Sequence, residues 1–226
     1  MGAPVASKSA AARAKRVKKA DPAVIDALWL GVLARIGGHA AHEVKGALNG
    51  VSVNVEVVRT RAEKPGVAAS AVGQYATAAA EQLSVVISMN EALLWLVREP
   101  RGPVAIGTVV DHIETLLGPA VRADGRRLET DESLNQLGAT TAGVNAVRLA
   151  IGGCLLAAVE KSIHTRCVAE EDPAGPAIRI ESRDGATLAT DKGLVEAVAN
   201  AGIRITAEPS AIFIRFPRQG KASRDL

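Results

Sequence analysis

Between Asp21 and Arg98 the chain carries two helical runs of roughly 30–40 residues each, and that length constrains the fold more than anything else in it. The first run opens at "DPAVIDALW", where Asp21 suits an N-cap and Pro22 the first helical position. Apolar residues then recur at helical spacing through Leu28, Leu30, Leu33, Ile36, Val44, Leu48, Val51, Val55 and Val58, to about Arg61. "EKPG", Glu63 to Gly66, breaks the pattern. A second run covers about 67–98 and is closed by "EPRGP", Glu99 to Pro103. Two helices joined by so short a loop form an antiparallel hairpin. At about 1.5 Å per residue the hairpin is roughly 45–60 Å long, too long and thin to bury its own apolar stripe. A second copy is the natural remedy, and a four-helix bundle made by two chains is the expected result.

After Pro103 the pattern changes. "VAIGTVVDHIETLLGPAV" reads as a helix, "RRLETD" as a strand and "NAVRLAIGGCLLAAVEKSI" as a buried helix, apolar nearly all round. "TRCVAEE" and "AIRIESR" read as strands, and "DKGLVEAVANAG" as a helix with Gly202 just past its end. "IRITAEPSAIFIRFP" completes a strand pair broken at Pro209-Ser210. The expected class is α+β, with helices on one face of a sheet. The division expected is a basic tail over 1–20, the helical hairpin over 21–100, an α/β sandwich over 104–218 and a short tail over 219–226.

Charge separates along the chain. Residues 1–20 hold Lys8, Arg13, Lys15, Arg16, Lys18 and Lys19 and no acid. Taking those six charges from the total of +3 leaves −3 for the rest. The basic character therefore belongs to an Ala/Lys/Arg leader, expected to be disordered and solvated. With only five aromatic residues the body offers few platforms for stacking bases, so a nucleic-acid binder is disfavoured. The N-terminus lacks a signal peptide's apolar segment, and no membrane-spanning run is expected, so the protein is read as cytoplasmic. Cys154 and Cys167 sit in core segments without metal-ligand spacing and read as reduced structural thiols.

The stretch "IGGHAAHEVKGALNGV", Ile36 to Val51, places glycines at 37, 38, 46 and 50 inside the first helix. Each interior glycine costs a helix about 0.5–1 kcal/mol relative to alanine. With His42 at zero and about 100° per residue, Val44, Leu48, Val51, Val55 and Val58 fall near 160–240°, an apolar seam of 4-3-4-3 spacing. His42 points away from that seam, in company with His39, Gly46, Asn49, Gly38 and Lys45. The glycines thus clear the surface around an outward imidazole, which suits docking of something large. The competing reading is a solvated histidine beside glycines that permit tight helix packing.

"HEVKGALNGV", His42 to Val51, resembles the phospho-acceptor H-box of sensor histidine kinases, H-E-[L/I/V]-[R/K]-[T/N]-P-L-x-x-I. His42, Glu43, Val44, Lys45, Leu48 and Val51 match, while Gly46-Ala47 replaces the T/N-P pair. The second domain resembles a degenerate, Bergerat-type kinase module. "GCLLAAVEKS", Gly153 to Ser162, falls where the N-box would lie, with Gly153 and Ala157 in place of its two asparagines. "RDGAT", Arg183 to Thr187, is all that corresponds to the D-x-G-x-G signature, and the glycine-rich lid is missing. The chain as a whole resembles ChpT-type histidine phosphotransferases, which keep the dimeric hairpin and a kinase-like domain that no longer binds ATP.

The resemblance implies a histidine phosphotransferase of a two-component phosphorelay without ATP-dependent autokinase activity. His42 would be the phospho-acceptor, exchanging phosphoryl groups with aspartates of response-regulator receiver domains. An upstream histidine kinase or hybrid-kinase receiver would feed it. No cofactor of its own is implied, the receiver supplying Mg²⁺. Glu43 would orient the imidazole, Lys45 would meet phosphate or an acidic receiver rim, and Asn49 would hydrogen-bond a phosphoryl oxygen or the docked loop. Docking would use Gly46, Val53, Val86, Met89 and Asn90. His39 is the rival acceptor, without a following acid. Glycine at 46 cannot position a hydrolytic water, so phosphatase activity is expected to be weak. His112 and His164 read as structural, and Asp184-Gly185 as a turn. The alternative function is a non-catalytic, dimeric pseudokinase-like regulator or scaffold that binds a kinase or response regulator. A kinase with an aberrant ATP site is a further alternative.

Overall fold

The computed structural model describes residues 21–66, 68–99, 102–170 and 172–218. The expected basic leader, 1–20, and the C-terminal tail, 219–226, lie outside the described residues. Helix α1 spans Pro22–Ala62 and helix α2 Ser70–Val97. The Asp21 side chain caps α1 by accepting from the Ala23 N–H at 3.1 Å, with Pro22 at the first position. The hairpin tip is fastened by Arg61, which donates to the Ala71 carbonyl at 2.9 Å and to the Tyr75 hydroxyl at 3.2 Å, its guanidinium over the Tyr75 ring. Midway, the Asn54 amide donates to the Gln82 side-chain oxygen at 3.2 Å, and Gly50 lies directly against the Gln82 amide.

These contacts place α2 about 100° around α1 from His42, on the side of Gly50, Asn54 and Arg61. The seam of Val44, Leu48, Val51, Val55 and Val58 therefore does not fill the hairpin's interior. It lies on one flank, with Leu48 44% and Val55 53% exposed. On α2, Leu83, Ile87 and Leu94 are exposed in the same way. The wheel turns clockwise down α1 and anticlockwise up the antiparallel α2, so both strips come to the same side of the hairpin, opposite to His42.

The remainder is α+β. Helix α3 spans Ile106–Ala123, α4 Val144–Lys161 and α5 Lys192–Ala199. Strands β1 (Val104–Ala105) and β3 (Ala139–Thr140) form a two-residue antiparallel pair, and a 3₁₀ turn covers Glu132–Gln136. Strands β2 (Arg127–Thr130), β4 (His164–Glu170), β5 (Ala177–Ser182), β6 (Arg204–Glu208) and β7 (Ala211–Arg215) make one mixed sheet in the order β2-β4-β5-β7-β6. Only β2 and β4 run parallel. Alternation along the strands buries Cys167, Ile178, Ile180, Ile212 and Ile214 under the helices. The opposite face holds a charged ladder, with Arg166 on Asp131 at 2.5 Å and Arg179 on Glu181 at 2.9 Å. Gly202 follows α5 at φ +82°, the left-handed conformation that ends a helix. Both cysteines are buried free thiols, pushed up to about 12 by burial.

One apolar interior runs through hairpin and sandwich together. Ile25, Trp29, Ile36 and Ala40 of α1 and Met89, Ala92 and Leu96 of α2 join the same core as α3, α4 and the sheet. The junction is closed by Arg148 of α4, 2% exposed, which donates to the Trp95 carbonyl at 2.9 Å and the Arg98 carbonyl at 2.6 Å. It thereby caps carbonyls left open at the end of α2. Trp95 also packs on His112 of α3, the ring centroids 4.4 Å apart and the planes tilted by 51°, and burial lowers the His112 pKa.

Helix α1 does contain an 18-residue window of mean hydropathy 1.3, long and apolar enough by composition to cross a membrane, contrary to the sequence reading. In the fold that helix is paired with α2 along its length and packs its first half against α3 and α4.

Candidate functional site

His42 lies midway along α1, exposed to solvent. It opens into a cleft of about 430 Å³ lined by Arg35, Gly38, His39 and Glu43 of the same helix and by Ala120, Ala123 and Asp124 at the end of α3. A smaller cleft of about 210 Å³ adjoins it, sharing His39 and Asp124 and continuing past Leu117 and Val121 to Arg126 and Glu160. The sequence reading missed the α3 wall altogether. Asp124 stands some 80 positions away, on an element whose approach to α1 no local pattern announces.

The glycines divide into two groups. A β-carbon at Gly31, Gly37, Gly38 or Gly46 would meet nothing within 4 Å, so these positions are bare helix surface. At Gly50 it would collide with the Gln82 amide, so that glycine serves the approach of α2. Gly38 and Gly46 flank His42 on the wheel, so two of the positions beside the ring are bare backbone.

Charges around the ring are mixed. Arg35 is ion-paired with Glu160 of α4. Arg126 donates to the Val159 carbonyl at 2.6 Å. Among the described residues, Glu43, Lys45 and Asp124 make no ion pair, and no hydrogen bond joins Glu43 to His42. Neighbours at i and i+1 stand about 100° apart on a helix, so Glu43, half-buried, turns toward α2.

Lys45, Gly46, Asn49 and Val53 are exposed on the His42 side of α1, Val53 at 64%. Of the three α2 residues expected to dock partners, the fold removes one, Met89. Met89 is 2% exposed and belongs to the core. Val86 is half-buried against α1. Asn90 is exposed, but on the flank of Leu83 and Leu94, away from His42. Val85, 42% exposed, is the apolar α2 residue on the His42 side. The error was one of register: the rotation of α2 about its axis is set by its packing on α1 and α3.

In the second domain, Gly152 packs against Trp29 at 3.2 Å and Val32 at 3.3 Å, measured from the position a β-carbon would take. A β-carbon at Gly153 would collide with Leu194 of α5. Where the resemblance would set the first N-box asparagine, the fold puts a leucine side chain. Ala157 borders an apolar cavity of about 380 Å³ between α1, α4 and α5. Asp184 accepts from the Ile163 N–H at 3.0 Å, the Ser182 hydroxyl at 2.8 Å and the Ser162 hydroxyl, which holds its carboxyl well below the usual range. It ties the start of β4 to the end of β5. His164 lies on β4, 3.1 Å from Glu129.

No family model matches the chain, and no curated protein matches it. Its neighbours among solved structures include a phosphotransferase and histidine kinases. A bacterial phosphotransferase at 1.7 Å is similar at TM-score 0.42 and 12% identity, over 82% of this chain and 95% of that one. The Acinetobacter baumannii histidine kinase AdeS is similar at TM-score 0.36 and 10% identity, over 78% and 97%. Full-length ShkA in complex with AMPPNP is similar at TM-score 0.34 and 14% identity, over 81% of this chain and 45% of that one.

Proposed function

We propose that the protein is a histidine phosphotransferase that exchanges phosphoryl groups between His42 and receiver-domain aspartates, as a dimer in the cytoplasm. One observation carries the reading: an exposed imidazole in an H-box-like sequence, opening into a cleft and flanked by glycines with nothing around them. A receiver's aspartyl phosphate can approach such a ring to bonding distance. A ring nitrogen of neutral imidazole attacks phosphorus in line. The N–P bond forms as the P–O bond to the aspartate breaks, and the carboxylate departs with the electron pair. The ring sheds its other N–H proton to solvent, and the reverse sequence returns the group. Such transfer depends on positioning and charge neutralisation, the Mg²⁺ being held by the receiver.

Lys45 and Asn49 lie exposed beside His42 and are assigned to the phosphoryl group or the docked loop, with Gly46, Val53 and Val85 forming the surface beneath. Glu43 is assigned a role in orienting the ring once a partner is bound. The exposed strip of Leu48, Val55, Leu83 and Ile87, turned away from His42, is assigned to the second copy. The packing of Leu194 at Gly153 supports the absence of autokinase activity from ATP.

The test is incubation with phosphorylated receiver domains, following acid-labile label. Wild type is expected to take up label and His42→Ala to take up none. A wild type that stays unlabelled across a broad receiver panel, or His42→Ala that retains signalling, would leave the regulator reading in its place.

A further inference from the structure

We propose that Asp124 limits how long a phosphoryl group stays on His42, so that the site favours passing phosphate onward over storing it. The proposal rests on the phosphotransfer reading above. Its ground is a juxtaposition made only by the fold: the end of α3 forms the wall of the His42 cleft, and its one charged lining residue is a carboxylate.

The charges facing this cleft and its neighbour are Arg35, His39, Glu43 and Asp124, with Arg126 and Glu160; Lys45 stands beside His42 on α1. Arg35 is neutralised by Glu160, and Arg126 is turned to a backbone carbonyl. The Asp124 side chain makes no hydrogen bond or ion pair among the described residues, so its carboxylate has no direct partner beside the ring. The negative end of the α3 dipole adds to it at the same place. A phosphorylated imidazole brings nearly two negative charges into that field. When a receiver carboxylate attacks, the P–N bond breaks, the ring nitrogen keeps the electron pair, and the repulsion disappears with the departing group. Asp124 therefore raises the energy of the loaded site relative to the empty one. It acts through space on His42 and is a positioning residue, not a reacting one.

The measurement needs no partner. Phosphoramidate phosphorylates histidine directly, and phosphorus NMR reads the occupancy of His42 in a His39→Gln background. Asp124→Asn keeps the side chain's shape, and the helix-ending contact of residue 124 is made by its backbone N–H on the Ala120 carbonyl at 3.1 Å, so the fold should survive. At low salt, Asp124→Asn is expected to hold roughly fivefold more phosphohistidine, the size of a unit-charge repulsion across a few ångströms of water. At about 1 M salt, where screening acts over about 3 Å, the difference should collapse. Glu208→Gln, on the exposed strand β6, should behave as the parent. Equal occupancy in the two variants, a difference that salt does not alter, or a His42 that neither variant loads would overturn the proposal. If His42 loads and shows the Asp124 effect but passes nothing to any receiver, the shuttle reading fails, while the limit that Asp124 sets on His42 occupancy stands.

Discussion

Gly46 and Gly50 lie four residues apart on one helix and serve different ends. Gly46 faces open space beside His42, whereas Gly50 lets α2 come against α1 at Gln82. Alanine at 46 removes the backbone freedom of glycine and meets nothing, so Gly46→Ala should stabilise the protein by about 0.5–1 kcal/mol. Alanine at 50 displaces the Gln82 amide from its bond with Asn54, and the same helix gain should be lost or reversed. Thermal melts of the two variants decide the point. A Gly46→Ala protein that is more stable but slower with receivers would mark the glycine as kept for access.

Helix α4 is shaped by the two elements that pack on its middle. Its two glycines form a notch, one side filled by Trp29 and Val32 of α1 and the other by Leu194 of α5. The hairpin and the sandwich meet there, and Arg148 about one turn earlier seals the end of α2. Placing an asparagine at this position, Gly153→Asn, should therefore destabilise the protein by about 1–3 kcal/mol through overpacking. Denaturant unfolding measures the loss, and Leu194→Ala in the same chain should recover part of it. Unchanged stability of Gly153→Asn would show that the notch is looser than the fold implies.

For the whole molecule, the hairpin's apolar flank is the feature a single chain leaves unfinished. Leu48, Val55, Leu83, Ile87 and Leu94 are each more than two-fifths exposed on one side, while His42 occupies the other. Such a strip suits a contact with another protein surface, and the proposed dimer would use it for the second copy. The double substitution Leu48→Glu with Ile87→Glu should convert a dimer to a monomer in sedimentation equilibrium. It should leave helix content nearly intact, because neither side chain is buried in the single chain. A wild type that sediments as a monomer at high concentration would remove the four-helix bundle from the account.

Much of this was legible locally. The helix ends are written in Asp21-Pro22 and in the "EKPG" and "EPRGP" breaks, because caps and breakers act within a turn. The strands from "TRCVAEE" to "AIFIRFP" carry the alternation of a half-buried sheet, whereas two-residue β1 and β3 are too short for any period to show. That His42 faces away from the Val44–Val58 seam was also settled by sequence, since angles within one helix are fixed by its 3.6-residue repeat. Which side of that helix would meet α2 was not, because rotation about the axis is decided by the sum of contacts with α2, α3 and α4. For the same reason Met89 turned out to be core and Val85 surface. The carboxylate beside the imidazole and the leucine packed at Gly153 come from elements far apart in the chain, and only packing could bring them there.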